Sequence, residues 1–194
     1  MSDNSPLERD AIPLEKRDQL LLKALEHLKS LPYEERTIAV AAIYDTQTEE
    51  LYIAPSRQVS REPDFGEYGL WNHAEYEAML LALENGVDPS KAVVITTLSP
   101  SLKNSSHCYH GAAGTVLAEE GFCNIYTGHM DERQGGMDAY EGVGLNVTVT
   151  ENEDLARICA QLDSYFDPDR EDRRTGESKQ DYIEKVLMNL PEKV

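Results

Sequence analysis

With 194 residues, 40% of them hydrophobic, the chain can bury one sizeable core but hardly two, so one domain with extensions is expected. Asp and Glu number 36 against 18 Lys and Arg, and the formal charge of -18 repels polyanionic nucleic acid. The three cysteines, Cys108, Cys123 and Cys159, form no even-numbered framework, no basic-then-apolar leader opens the sequence, and no apolar run approaches a membrane span, so a cytoplasmic protein is expected.

Residues 1–12 are polar and aperiodic and read as a loose tail. From Leu14 to Leu31 the apolar residues Leu21, Leu25 and Leu28 follow helical spacing until Pro32 stops the run. Thr37 to Tyr44 and Leu51 to Ile53 read as two strands of a hairpin joined through Asp45-Thr46-Gln47-Thr48. Residues 55–70, with Pro63, Gly66 and Gly69, read as a loop. A helix from about His73 ends at Asn85-Gly86, residue types that tolerate positive φ.

Ala92 to Leu98 is nearly all apolar or β-branched, as in a central strand buried on both faces. Gly111 to Glu120 reads as a helix, Phe122 to Thr127 as a strand, and Leu145 to Thr150 as the last strand. A hairpin followed by alternating helices and strands predicts an α/β sandwich with a mixed sheet. Beyond it, Leu155, Ile158, Leu162, Tyr165 and Phe166 make one helical stripe, and Ile183, Val186, Leu187 and Leu190 another. Between them Asp167 to Asp181 is charged and broken. These helices either cover the core or meet a second copy of the chain.

The candidate chemistry centres on His73-Ala74-Glu75, an imidazole two residues from a carboxylate, the pairing that zinc-dependent deaminases use on aminated heterocycles. Side chains two apart on a helix converge only at its first turn, where they reach past the end. Asn72 stands where it could cap that end, and the free N–H groups there favour an anion. A catalytic zinc needs three protein ligands and an open fourth position. The same tripeptide also begins ordinary surface helices; here it comes after a hairpin and precedes a buried strand.

That arrangement, from Thr37 to Thr150, resembles the cytidine and deoxycytidylate deaminase superfamily, especially the riboflavin-biosynthesis type. The resemblance implies a three-layer α/β/α cytidine-deaminase-like sandwich, with His73 as a zinc ligand and Glu75 as the proton shuttle. In that family a strand ending Thr-Leu-Glu-Pro-Cys leads to a second cysteine opening the next helix. Here Thr97-Leu98-Ser99-Pro100-Ser101 stands at the strand end, and counting back from Gly121 places Ala113 at the second position. Gly121-Phe122, Tyr126 to Asp131 and Gly142 to Leu145 resemble the family's glycine turn, its strand ending near an Asp, and its late strand after glycines.

With cysteine absent from both positions, Ser105-Ser106-His107-Cys108-Tyr109-His110 offers replacements. Cys108 and His110 would complete a zinc site with His73, His107 being the reserve; alternatively the segment is a polar insertion and the metal has been lost. Trp71 would wall the site or pack in the core, and His129 would line a pocket or stand satisfied elsewhere. Cys123 and Cys159 lie in apolar patterns and read as small core residues.

The expectation is thus a zinc-dependent hydrolase that deaminates a small aminated heterocycle: a nucleoside, nucleotide or pterin-like ring. The alternative is a metal-free binding or scaffold subunit of the same fold. Residues 13–150 would form the deaminase-like domain and 151–194 its helical extension. The partner would be a small molecule, with neither nucleic-acid polymer nor membrane, and a second copy is the candidate protein partner.

Overall fold

The computed structural model describes residues 12–60, 70–103, 111–131, 136–165 and 178–194. Helix α1 (Leu14–Ser30) ends where Leu31 turns extended at ψ 152°, because the following proline disfavours a helical residue before it. Strands β1 (Val40–Asp45) and β2 (Leu51–Pro55) form the expected antiparallel hairpin, with Val40 opposite Pro55 and Tyr44 opposite Leu51. The Asp45 carboxylate shapes its turn, accepting from Gln47 N at 2.9 Å and from the Thr48 hydroxyl at 2.8 Å.

The stretch expected as a loop instead contains β3 (Arg57–Ser60) and β4 (Leu70–Asn72), an antiparallel pair with a shifted register after Gln58. Its strands are too short, and their register too irregular, for an alternating pattern to stand out among prolines, glycines and charges. Helix α2 (Ala74–Glu84) stops at Asn85, and Gly86 takes φ 81° as its closing residue.

Strand β5 (Ala92–Leu98), helix α3 (Ala113–Glu119), strand β6 (Asn124–His129), helix α4 (Met137–Glu141) and strand β7 (Asn146–Val149) complete the domain. Five-residue α4 was not expected; it is too short for its spacing to be legible. Helices α5 (Glu153–Ser164) and α6 (Lys179–Leu187) come last, capped by the Asn152 and Ser178 side chains. Phe166 lies outside the described residues.

The main sheet runs β2-β1-β5-β6-β7; β1 is antiparallel to both neighbours, and β5, β6 and β7 are parallel. Strand β5 is central, as expected from its run of apolar and β-branched side chains. Its side chains alternate: Val93 and Ile95 face a core built with Leu21, Leu25, Leu28, Ile158, Leu162, Ile183 and Leu187. Val94 faces the other, with Ala78, Met79, Leu117, Tyr140 and Val147. The result is the three-layer α/β/α sandwich. The apolar stripe of α5 lies on the sheet beside α1 and that of α6 packs against α1 and α5, so the open choice between core and second copy resolves toward the core.

A polar anchor ties that outer layer down. Asp18 of α1 accepts from the Tyr126 hydroxyl and from the Thr150 hydroxyl, both at 2.6 Å. Burial, reinforced by the Asp18 hydrogen bond, holds the Tyr126 phenol far above its ordinary value. Cys159 is fully buried, as expected, whereas Cys123, just before β6, is half-buried and not a core residue. Ile12, placed in the tail by its sequence context, is buried. Among the described residues no helix is long and apolar enough to cross a membrane.

Candidate functional site

Parallel strands β5 and β6 end side by side at Leu98 and His129, and in open α/β sheets ligands gather beyond such carboxyl ends. The turn leaving β5, Ser99-Pro100-Ser101, is held from three sides. Ser99 N donates to His129 O at 2.8 Å, and the Ser99 hydroxyl accepts from Asp131 N at 2.9 Å. The buried Tyr140 hydroxyl donates to Pro100 O at 2.8 Å. Ser101 O accepts from Gly114 N at 2.9 Å, and Ser101 Oγ accepts from Ala113 N at 3.2 Å.

These contacts place Ser101 against His73: its Oγ lies 3.3 Å from His73 Nε2. His73 is itself the N-cap residue of α2, with extended backbone (ψ 145°) and no side-chain cap bond. Asn72 therefore does not cap the helix. Its Nδ2 donates to Glu77 Oε1 at 2.5 Å, and Arg57 Nη2 reaches the same oxygen at 3.2 Å. A carboxylate cannot donate to an amide, so this contact sets which way the amide points. Asn72 Oδ1 is then buried with no partner among the described residues.

Glu75 is 4% exposed, in the first turn of α2. The Thr96 hydroxyl of β5 lies 3.2 Å from its Oε1 and also 2.8 Å from Leu98 O, so one proton serves two acceptors. Tyr140 of α4 is buried, with its hydroxyl on the turn that leaves β5. Burial pushes its phenol up, the Ser99 hydrogen bond opposes that, and the charges of Asp131 and Glu75 add to the rise. Both carboxylates therefore sense the same hydroxyl.

Of the residues singled out in the sequence, His73, Glu75, Ser101 and Ala113 gather at one place, with Asn72 adjoining. His129 turns toward Asp163 of α5, with Nε2 3.7 Å from Oδ2. His107, Cys108 and His110 lie outside the described residues, and for Trp71 only the backbone is described. Thr96, Ser99, Asp131 and Tyr140 were missed. Thr96-Thr97 inside an apolar strand was the one available signal, since buried polar side chains need a reason.

Zinc is held by thiolate, imidazole or carboxylate. Around His73 the structure offers a neutral hydroxyl at 101 and a methyl group at 113, and no group of three His, Cys, Asp or Glu able to hold a metal occurs among the described residues. The described residues do not fit the three-ligand set.

Gly114 makes the approach of α3 to this turn possible. A Cβ there would stand 2.7 Å from Leu102 Cδ2 and 3.2 Å from Ser101 O. Gly114→Ala is expected to cost about 1–3 kcal/mol in urea unfolding, because overpacking forces the turn or Leu102 to move. An unchanged midpoint would mean that the turn yields freely.

Neither a family model nor a curated protein matches the sequence. Solved structures do match. RibD of Acinetobacter baumannii is 18% identical with a TM-score of 0.52, covering 78% of this chain and 40% of that one. The diaminohydroxyphosphoribosylaminopyrimidine deaminase/reductase of Thermotoga maritima is 16% identical with a TM-score of 0.52, covering 78% of this chain and 42% of that one. The chain spans about two fifths of the length of these structures, and what it shares with them is the deaminase-like fold.

Proposed function

We propose that this chain binds a small aminated heterocycle, such as a nucleoside, nucleotide or pterin-like ring, at the opening of α2, with Glu75 facing the amine. The observation that carries this reading is the Glu75 carboxylate, 4% exposed and served by a shared threonine proton. Burying a charge so poorly matched costs stability, and a ligand amine would supply the missing donors. Asn72 Oδ1 offers a second acceptor for a ring N–H, and Trp71 is a candidate for the wall, whereas His129, engaged with Asp163 of α5, is left out of the site. We place the protein in the cytoplasm, with residues 13–150 as the deaminase-like domain and 151–194 as its helical extension.

Calorimetric titration of the full chain with cytosine, cytidine, cytidine monophosphate, guanine and pterin tests this. At least one aminated ring should bind, and its oxo counterpart should bind about tenfold more weakly, equivalent to about 1.4 kcal/mol, because an oxo oxygen meets a carboxylate. Equal affinity for amino and oxo partners would remove the reading.

A second reading, zinc-dependent hydrolytic deamination, is favoured by the pairing of buried Glu75 with His73 at one helix opening. It needs Cys108 and His110, with His107 in reserve, as further ligands. Ammonia release from the same panel, lost on chelation, would support it over binding alone.

A further inference from the structure

We infer that the His73 centre has become metal-free: the His73–Ser101 hydrogen bond stands where zinc would sit, and only two side chains separate this centre from a zinc site. The inference takes its location from the proposed site, but it concerns the metal and not the heterocycle.

The geometry of a shared ion is retained while its chemistry is gone. Ligand atoms on one tetrahedral zinc, at about 2.0–2.3 Å from the metal, lie roughly 3.5 Å apart. Ser101 Oγ and His73 Nε2 are 3.3 Å apart, so a ligand atom at 101 already stands at a suitable separation. The atom present is a hydroxyl oxygen. Whichever of the pair donates, the imidazole nitrogen that would ligate is engaged: its lone pair accepts the serine proton, or it carries a proton itself.

Position 113 completes the set. Ala113 N donates to Ser101 Oγ at 3.2 Å, and Gly114 N to Ser101 O at 2.9 Å, so the first residues of α3 are clamped to the turn. Ala113 is buried there and carries no donor atom. The backbone thus brings together three positions, 73, 101 and 113, of which one bears a zinc ligand. Hydrogen bonds of this kind keep the turn shaped without an ion, which is what a centre that has lost its metal requires.

The test is zinc stoichiometry of the full-length chain purified without chelators in zinc-supplemented medium, read by elemental analysis. The wild-type chain should carry far less than one zinc, with no difference in His73→Ala. The double variant Ser101→Cys, Ala113→Cys should rise to about one zinc per chain. After exchange into cobalt it should show thiolate-to-metal absorption, and adding His73→Ala should abolish both. Near-stoichiometric zinc in the wild-type chain that disappears in His73→Ala, Cys108→Ser or His110→Ala would overturn the inference, as would a folded double variant that takes up none. Should the double variant not fold, the wild-type measurement with its three controls decides alone. Amino-versus-oxo selectivity is read separately, so failure of the binding reading and failure of this one are told apart.

Discussion

Glu75→Gln is expected to erase the preference for an aminated ring over its oxo counterpart while leaving the fold intact. Glutamine matches glutamate in size, so the packing of α2 on β5 is preserved, but the amide is uncharged and half donor. A hydrogen bond to a charged group contributes about 1.5–3 kcal/mol, so the amino ring should weaken roughly ten- to a hundredfold while the oxo ring holds or gains. Stability should move the other way. Removing a buried charge served by one shared hydroxyl should raise the unfolding free energy by about 1 kcal/mol, seen as a higher urea midpoint, the trade-off typical of residues kept for function. Titration and unfolding of one protein sample check both halves. A variant that keeps its amino preference would mean the carboxylate does not face the ligand.

The largest loss of stability is expected from Gly128→Ala. A Cβ at this position in β6 would overlap Cys159 Sγ and fall 2.8 Å from Cys159 Cβ and 3.1 Å from Thr97 O. Real side chains do not overlap in this way, so α5 must lift from the sheet or β6 must shift. Overpacking typically costs about 1–3 kcal/mol, and the overlap with Cys159 puts this variant at the upper end of that range. Adding Cys159→Ala should recover part of it, because the sulfur contact goes while the contacts to Cβ and to Thr97 O stay. Chemical unfolding of the two single variants and the double variant measures the coupling. Full additivity would show that glycine and cysteine do not meet.

Legibility differed element by element. Helix α1 was readable to within a residue because Leu21, Leu25 and Leu28 repeat at helical spacing and Pro32 forbids continuation. Strand β5 was readable because only a strand buried on both faces tolerates such a run of β-branched side chains. The β3–β4 ribbon and α4 were not, since elements of three to five residues give no period to detect. For the site, His73 and Glu75 stood out through residue type and spacing, and Ser101 and Ala113 only through the resemblance to the deaminase superfamily, as the places where its cysteines are missing. Asn72 was misread. Its residue type suits a cap, but the chain turns into the helix one residue later, and the amide reaches Glu77 instead.

Residue order by itself determined the layered α/β architecture, the central strand and the pairing of an imidazole with a carboxylate at one helix opening, because these depend on periodicity and near-neighbour spacing along the chain. Only the tertiary structure decided that α5 covers the sheet while α6 packs on α1 and α5, that the Ser101 hydroxyl lies 3.3 Å from His73, and that the Thr96 hydroxyl reaches the buried Glu75 carboxylate. Those contacts join residues on different strands and helices. Their distances are set by sheet register and helix docking, which leave no signature in local sequence.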